Sequence, residues 1–451
     1  MSKPTFAFVT IGSGSYLGST IRDLTLANIL HRRGYKVLVY WMMEWNPELA
    51  DPGIEHRLLC HGTRYQFRRP SAFMDQVVGS AAFLLPLKLR VRVTQSLNGF
   101  VDRMLTHLIC SLHAAPDSDA GLVRRLRRFI ARDGVSHLMM SFASLGMLAL
   151  AAKRQGGLDF DYALTFQGDE QFADYARRSG LFETYRSRLN EAVAGSRWPA
   201  LLVSHDYLER IAVELKVSRE RMCVLYNGIE LPAPSAQPLR AGLRKLFPRL
   251  REDIPIVTYF GRQEAEKGID LLLYAARLLK ARGVPLQLVV CGATAKGESC
   301  KKVIADLADH LGLPIHQAGA VPREIRDTLF AHSHCVVYPS VNREAFGLVV
   351  AEAMSHGTPV LVPDYGGVTE VMRDGERAGG LTFAAWDSGD LARQLERLLT
   401  NATLHRELAG NARPLAERFT ADRMTDRVLQ HLGITDRRGR PLPDGAITQV
   451  A

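Results

Sequence analysis

The stretch Glu344-Ala345-Phe346-Gly347-Leu348-Val349-Val350-Ala351-Glu352-Ala353-Met354-Ser355-His356-Gly357-Thr358-Pro359 decides how the rest of the chain is read. It sets two carboxylates, with seven residues between them, around the start of a helix. Gly347 stands where that helix begins, and Leu348, Val349, Val350, Ala353 and Met354 form its apolar body. Gly357 is the expected C-terminal cap, and Pro359 prevents continuation. Val360-Leu361-Val362 then reads as a buried strand. The free N–H groups and partial positive charge of a helix N-terminus suit a phosphate. Glu344, just before it, can accept hydrogen bonds from sugar hydroxyls. Glu352, two turns on, can grip a ribose as acidic residues do in other nucleotide sites. Two Glu at this spacing would by themselves equally suit a solvated helix face. The flanking Phe-Gly-Leu, the Ala-Met-x-x-Gly-x-Pro-Val exit and the Gly366-Gly367 turn make the stretch far more specific than two carboxylates alone.

A second basic cluster belongs with this motif. Tyr259-Phe260 reads as the end of a strand, followed by Gly261-Arg262-Gln-Glu-Ala-Glu-Lys267-Gly268 and a helix from about Ile269. Such a loop leaves the carboxyl end of a parallel strand, where open α/β sheets bind ligands. Arg262 can bridge two phosphate oxygens with its planar fork, and Lys267 adds a mobile point charge. Together they can neutralise a leaving diphosphate in place of a metal ion. The competing reading is a solvated basic turn facing Glu264 and Glu266.

Around these motifs the chain alternates strand and helix patterns, which argues for α/β architecture with parallel sheets. At 451 residues it is long enough for two cores. The first half opens with the strand Phe6 to Val9, the glycine-rich turn Gly12-Ser-Gly14-Ser-Tyr-Leu-Gly18, a helix from Ser19 to Arg33 and a strand from Lys36 to Trp41. It continues through Asp161 to Phe166, a helix around Leu181 to Gly195, Ala200 to Ser204, and Val224 to Ile229. Three prolines within 232–238 mark a linker. Strand patterns resume at Ile254 to Phe260, Leu286 to Val290, Ile315 to Ala318, Cys335 to Tyr338 and Val360 to Val362. The expected domains are residues 1–235 and 236–418, with a final helix within 419–434 and a polar tail, 435–451, expected to be disordered.

Taken together, these motifs resemble the signature of glycosyltransferase family four, retaining nucleotide-sugar-dependent enzymes with the GT-B fold. The resemblance is most specific from Tyr259 to Met372 and weakest from about Ala50 to Val135. It implies two doubly wound, Rossmann-like α/β domains facing across a cleft, with the C-terminal helix crossing back to the first domain. It implies Arg262, Lys267 and Glu344 as catalytic residues, and Gly14, Gln167, Phe346, Gly347, Leu348 and Glu352 as donor-binding residues. Gly12, Gly14 and Gly18 only weakly resemble a dinucleotide fingerprint, since their spacing is one residue longer. In the family the corresponding loop approaches the donor phosphate and sugar from the opposite domain. Thr165-Phe-Gln167-Gly168 resembles a loop in which a His-Gly pair faces the donor sugar. Gln167 stands in place of His, so it can hydrogen-bond but cannot act as acid or base. Asn227-Gly228 matches the family's turn before the hinge.

The implied activity is retaining, hexosyltransferase-type transfer from a nucleotide diphosphate sugar to a hydroxyl acceptor, in cell-surface polysaccharide or glycolipid synthesis. No cofactor or metal is expected, because the 14 histidines and six cysteines show no metal-ligand spacing. An epimerase or sugar phosphorylase on the same fold, or a non-catalytic nucleotide-sugar-binding scaffold, is the alternative. Scattered cysteines fit a reducing cytoplasm. No signal peptide or membrane-spanning run is read from the sequence.

The net charge is +10, and residues 57–132 hold 13 Lys and Arg against 4 Asp and Glu. Val77 to Leu87 leads into Lys88, Arg90 and Arg92. Farther on, Leu122, Val123, Leu126, Phe129 and Ile130 form a helical stripe backed by Arg124, Arg125, Arg127, Arg128 and Arg132. Each alone suits a half-buried element with a solvated basic face. Together they make 57–132 a candidate for docking on the inner face of the cell membrane, with a lipid-linked or anionic carbohydrate acceptor. Nucleic acid is not an expected partner, since no aromatic-basic interleaving occurs.

Overall fold

Strand β1 (Thr5–Thr10) is buried over nearly its whole length, as are β2 (Lys36–Trp41), β4 (His137–Met140) and β5 (Asp161–Phe166). Continuous apolar strands of this kind suit parallel sheets covered by helices on both faces. The computed structural model describes residues 3–11, 18–42, 49–60, 114–232, 240–294 and 298–434. With β3 (Glu55–Leu58), β6 (Ala200–Leu202) and β7 (Met222–Val224), the first strands form a seven-stranded sheet in the order β3-β2-β1-β4-β5-β6-β7. All its pairings are parallel; Val9, for example, stands opposite Tyr40 on one side and Met140 on the other. A second sheet holds β8 (Ile256–Phe260), β9 (Gln287–Cys291), β10 (Ile315–Ala318), β11 (Cys335–Val337) and β12 (Val360–Pro363), in the order β10-β9-β8-β11-β12. The edge strand Gly380–Phe383 extends it beyond β12, again in parallel.

Each sheet therefore reverses its winding beside its first strand: between β1 and β4 in one, and between β8 and β11 in the other. The crossover connections run in opposite directions along the sheet from these points, which leaves a crevice at the carboxyl ends of the strands. The expected α/β architecture of two doubly wound sheets is present. Two strands of these two sheets escape the sequence reading. Glu55–Leu58 is polar and only half-buried, because it lies on a sheet edge. Gly380–Phe383 opens with a glycine, where a Cβ would stand 2.0 Å from the Val360 carbonyl oxygen.

The C-terminal helix, Ala421–His431, returns to the first domain. Thr420 caps it by accepting the Arg423 N–H at 3.2 Å. Met424, Val428 and Leu429 share a core with Phe6, Phe8 and Leu24. Arg33 ties it further, to Asp422 at 2.9 Å and Asp426 at 2.5 Å. The backbone crosses beside Ile229, whose N–H donates to the Phe419 carbonyl and whose carbonyl accepts the Ala421 N–H, both at 2.8 Å. This is the crossover that the resemblance implied.

Gly12, Gly14, the apolar run Val77 to Leu87 with Lys88, Arg90 and Arg92, the linker from 233 onward and the tail 435–451 lie outside the described residues.

The crossover is tight enough to test. A Cβ at Gly228 would stand 2.6 Å from Ala421 Cα and 2.9 Å from Met424 Cβ. Gly228→Ala should push the C-terminal helix off its seat and cost about 1–3 kcal/mol, the usual range for overpacking. Urea denaturation of the two proteins measures this; equal midpoints and slopes would show that the junction yields without cost.

Candidate active site

The loops after β8 and β11 leave adjacent strands at the switch point of the second sheet. They touch along their backbones. Val341 N–H donates to the Glu266 carbonyl at 3.1 Å. Gly268 has φ +65°, and a Cβ there would stand 2.1 Å from the Pro339 carbonyl oxygen. The absence of a side chain at Gly268 thus lets the loops meet, which carries Lys267 onto Glu344.

Lys267 Nζ donates to Glu344 Oε1, and the Ser340 hydroxyl donates to the same oxygen at 2.9 Å. The two side chains retain only 12% and 19% of their exposure. Burial would raise the Glu344 pKa, but Lys267 and the hydroxyls of Ser340 and Tyr338 outweigh it and hold the carboxyl below its ordinary range. Glu344 is therefore an ionised, oriented acceptor.

Arg262 is placed by its neighbour. Gln263 is fully buried, and its Nε2 donates to the carbonyls of Gly292 at 2.8 Å and Ala318 at 2.6 Å. With Gln263 anchored inward, Arg262 turns to the buried carboxylate of Glu264 and lies 3.5 Å from Glu266. Half of the solvated-turn reading is thus met for Arg262, whereas Lys267 reaches Glu344 instead.

Gly347 caps helix Leu348–Ser355 from the left-handed region, φ +86°, where a Cβ would stand 2.6 Å from Val368 Cγ1. The Gly366-Gly367 turn supports the loop from behind: Gly367 N–H donates to the Glu344 carbonyl at 2.8 Å. Two turns along, Glu352 accepts from Arg326 Nη1 at 2.9 Å. Burial raises the Glu352 pKa, with Arg326 opposing. Arg326 was not singled out from sequence; it comes from helix Arg323–His332, and only the fold brings it to Glu352.

Residues 245–414 match the family model described as "Glycosyl transferases group 1". The matched residues hold the second sheet, from β8 to the edge strand Gly380–Phe383, with both switch-point loops. A D-inositol 3-phosphate glycosyltransferase of Rhodococcus erythropolis is 36% identical over 39% of this chain and 40% of its own length. An alpha-D-kanosaminyltransferase of Streptomyces kanamyceticus is 32% identical over 39% of this chain and 44% of its own. The chain thus spans less than half the length of these two curated relatives. Among solved structures, Anabaena Alr3699/HepE in complex with UDP and glucose aligns with a TM-score of 0.67 at 17% identity, covering 95% of this chain and 99% of that one. WaaG, a glycosyltransferase involved in lipopolysaccharide biosynthesis, aligns with a TM-score of 0.62 at 16% identity, covering 96% and 100%. Both alignments run across both sheets, so the chain has the GT-B fold.

Opposite the second sheet, the first domain contributes the loop after β5. Asp169 is buried and accepts from the backbone N–H of Ser144 at 2.8 Å and its hydroxyl at 2.6 Å. Burial, only partly offset by these bonds, pushes its pKa up to about 7. Gln167 turns inward beside it: Nε2 donates to the Ser141 carbonyl at 2.7 Å and to Asp23 Oδ2 at 3.2 Å. Asp23 is itself buried and paired with Arg22 at 2.9 Å. The amide N–H groups of Gln167 are therefore engaged inside the first domain, and only its Oε1 stands without a hydrogen-bond partner. An imidazole could not offer two donors to Asp23 and Ser141 from one nitrogen.

The other expected donor residues divide. Leu348 faces the first domain, since a Cβ at Gly18 would stand 3.6 Å from its Cδ1. The side chain of Phe346 is buried among Tyr226 and Phe419, with ring centroids 6.2 and 5.5 Å away, and serves the junction between domains. Among the described residues of the basic segment, Arg125 donates to the Leu59 carbonyl at 3.0 Å, Arg127 to that of Gly156 at 2.7 Å, and Arg132 pairs with Asp133 at 3.0 Å. Arg124 and Arg128 remain exposed.

The pair at the centre of the site has a pH signature. Because the folded pKa of Glu344 is lowered, its stabilising contribution is present above the unfolded value of about 4.3 and is lost as pH falls below it. In Lys267→Met, burial would dominate and move the carboxyl the other way. The variant should lose roughly 1–3 kcal/mol near pH 7, less than for a fully enclosed pair. The deficit should shrink as pH falls toward 5. Urea titrations at both pH values measure it, and a pH-independent deficit would contradict the assignment.

Proposed function

We propose that the chain transfers a sugar from a nucleotide diphosphate sugar to a hydroxyl acceptor, with retention at the anomeric carbon and without a metal ion. The observation that carries this reading is the Lys267–Glu344 pair with Arg262 beside it, on touching loops at the switch point of the second sheet. Arg262 and Lys267 present positive charge where a diphosphate would lie, and the first-turn amides of helix Leu348–Ser355 add donors without a charge of their own. Glu344, held ionised, accepts from sugar hydroxyls. Glu352, held by Arg326, accepts from the ribose. HepE was solved with UDP and with UDP-glucose, which supports a nucleoside diphosphate at the matching place.

In the proposed step the bond from the anomeric carbon to the diphosphate oxygen breaks and the acceptor oxygen bonds to that carbon on the same face. The acceptor proton passes to the departing phosphate oxygen, whose charge Arg262 and Lys267 stabilise. A thermal-shift screen over nucleotide sugars, followed by product analysis with and without candidate acceptors, tests the reading. Conversion of the donor in place without transfer would point to an epimerase.

The two acids should separate in binding assays. Glu352→Ala should weaken both nucleotide sugar and free nucleoside diphosphate, by about 1–3 kcal/mol for a hydrogen bond to a charged group. Glu344→Gln should leave the diphosphate affinity nearly intact and lower transfer. Calorimetry with the diphosphate decides, and equal losses would place Glu344 on the nucleotide as well.

Residues 57–132 supply a candidate surface for an anionic membrane and a lipid-linked or otherwise anionic carbohydrate acceptor. Among the described residues no helix is long and apolar enough to cross a membrane. Since Arg125, Arg127 and Arg132 tie their own domain together, Arg124 and Arg128 are the docking candidates on helix Ala120–Asp133. At about 1 kcal/mol per basic residue near an acidic surface, Arg124→Ser with Arg128→Ser should lower cosedimentation with acidic liposomes measurably at low salt. Wild-type protein that fails to sediment with them would sink the membrane reading.

A further inference from the structure

We propose that Glu370 is a positioning residue that locks the first domain onto the loop carrying Glu344, so that the cleft geometry of the transfer proposed above depends on it. Glu370 lies on the short helix Gly367–Met372 of the second domain, yet its carboxylate ends in the first. Oε1 accepts the Asp206 N–H at 2.7 Å. Oε2 accepts the His205 N–H at 3.0 Å and the Tyr226 hydroxyl, also at 3.0 Å. His205 and Asp206 open helix His205–Glu214, whose first amides have no partner within the helix. That helix has a cap of its own, Ser204, which accepts the Tyr207 N–H at 3.1 Å. Glu370 takes the two amides that Ser204 leaves, and its negative charge meets the positive end of the helix.

The same helix turn holds the Glu344 loop. Gly367 N–H donates to the Glu344 carbonyl at 2.8 Å. A Cβ at Gly367 would stand 2.0 Å from the Ala345 carbonyl oxygen and 2.7 Å from Ser204 Oγ, so two backbones and the Ser204 hydroxyl meet there with no room for a side chain. Arg343, next to Glu344, pairs across the junction with Asp206. Arg418 Nη2 fixes the turn from the other side by donating to the Glu370 carbonyl at 3.1 Å. A shift of helix His205–Glu214 is therefore transmitted to Glu344 through a few rigid contacts, with Glu370 the only one of them that satisfies both exposed amides.

Hydrogen exchange of the full chain tests this, with Glu370→Gln as the isosteric variant, Glu370→Ala as the deletion and Tyr226→Phe as the control that removes one of three bonds. In both Glu370 variants the amides of His205 and Asp206 should exchange at least roughly tenfold faster, the factor that about 1.4 kcal/mol supplies, while amides of β5 keep their rates. Tyr226→Phe should leave both amides protected. Turnover of UDP-glucose should fall by a similar factor in the Glu370 variants, with UDP affinity within about twofold of wild type. Wild-type exchange at both amides in Glu370→Gln and Glu370→Ala would overturn the lock. Faster exchange with unchanged turnover would overturn the positioning role. If the wild type neither binds nor cleaves any nucleotide sugar in the screen above, the transfer reading fails by itself, and the exchange data still decide the lock.

Discussion

Lys267 and Glu344 lie 77 positions apart, on loops that leave neighbouring strands, and their ion pair sets the distance between those loops. Neither charge is at ease alone in a crevice where most of its surface is shielded. A shielded carboxylate without a partner gains a proton, and a shielded ammonium loses hydration. Paired, both remain charged, and Ser340 directs its hydroxyl to the same carboxylate oxygen. The rest of the site is built outward from this contact. Gly268 lets the two backbones touch, Gln263 anchors one loop inward, and Gly366-Gly367 braces the other from behind.

The cleft also requires that two separately wound sheets hold a fixed relation. Apolar contact supplies part of that. Phe346 of the second domain packs on Tyr226 and Phe419 where the chain crosses and recrosses, and the C-terminal helix buries Met424, Val428 and Leu429 against the first domain. Apolar packing is non-directional, however, and fixes proximity better than orientation. Orientation comes from the polar contacts at the same junction, where Glu370 and Arg343 meet the start of helix His205–Glu214.

Sequence reading succeeded where one local segment carries its own evidence. The helix after Glu344, its glycine start and its glycine-proline exit follow from neighbouring residues alone, and the structure places Leu348–Ser355 and β12 accordingly. It fell short where a residue's role depends on distant partners. Phe346 sits inside the motif, but its ring serves the domain junction. Gln167 places its amide N–H groups on Asp23 and Ser141, partners that no local pattern names, and leaves Oε1 without one. Arg125 and Arg127 look like a free basic face in a helical projection, but both reach carbonyls of their own domain. Long side chains on an amphipathic helix can bend back to backbone acceptors, and no periodicity reveals that.

The sequence by itself determined the α/β class, the order of most strands and helices, and which residue types stand at the switch point of the second sheet. These follow from short-range constraints: apolar runs that must be buried, glycines required by backbone conformation, and prolines that stop helices. Only the tertiary structure decided the partners. It set Arg326 on Glu352, divided the Arg262–Lys267 loop between Glu264 and Glu344, and carried Glu370 across to a helix of the other domain. The physical reason is that a charge in a crevice is defined by whatever neutralises it, and that neighbour lies across a strand, a sheet or a domain boundary rather than along the chain.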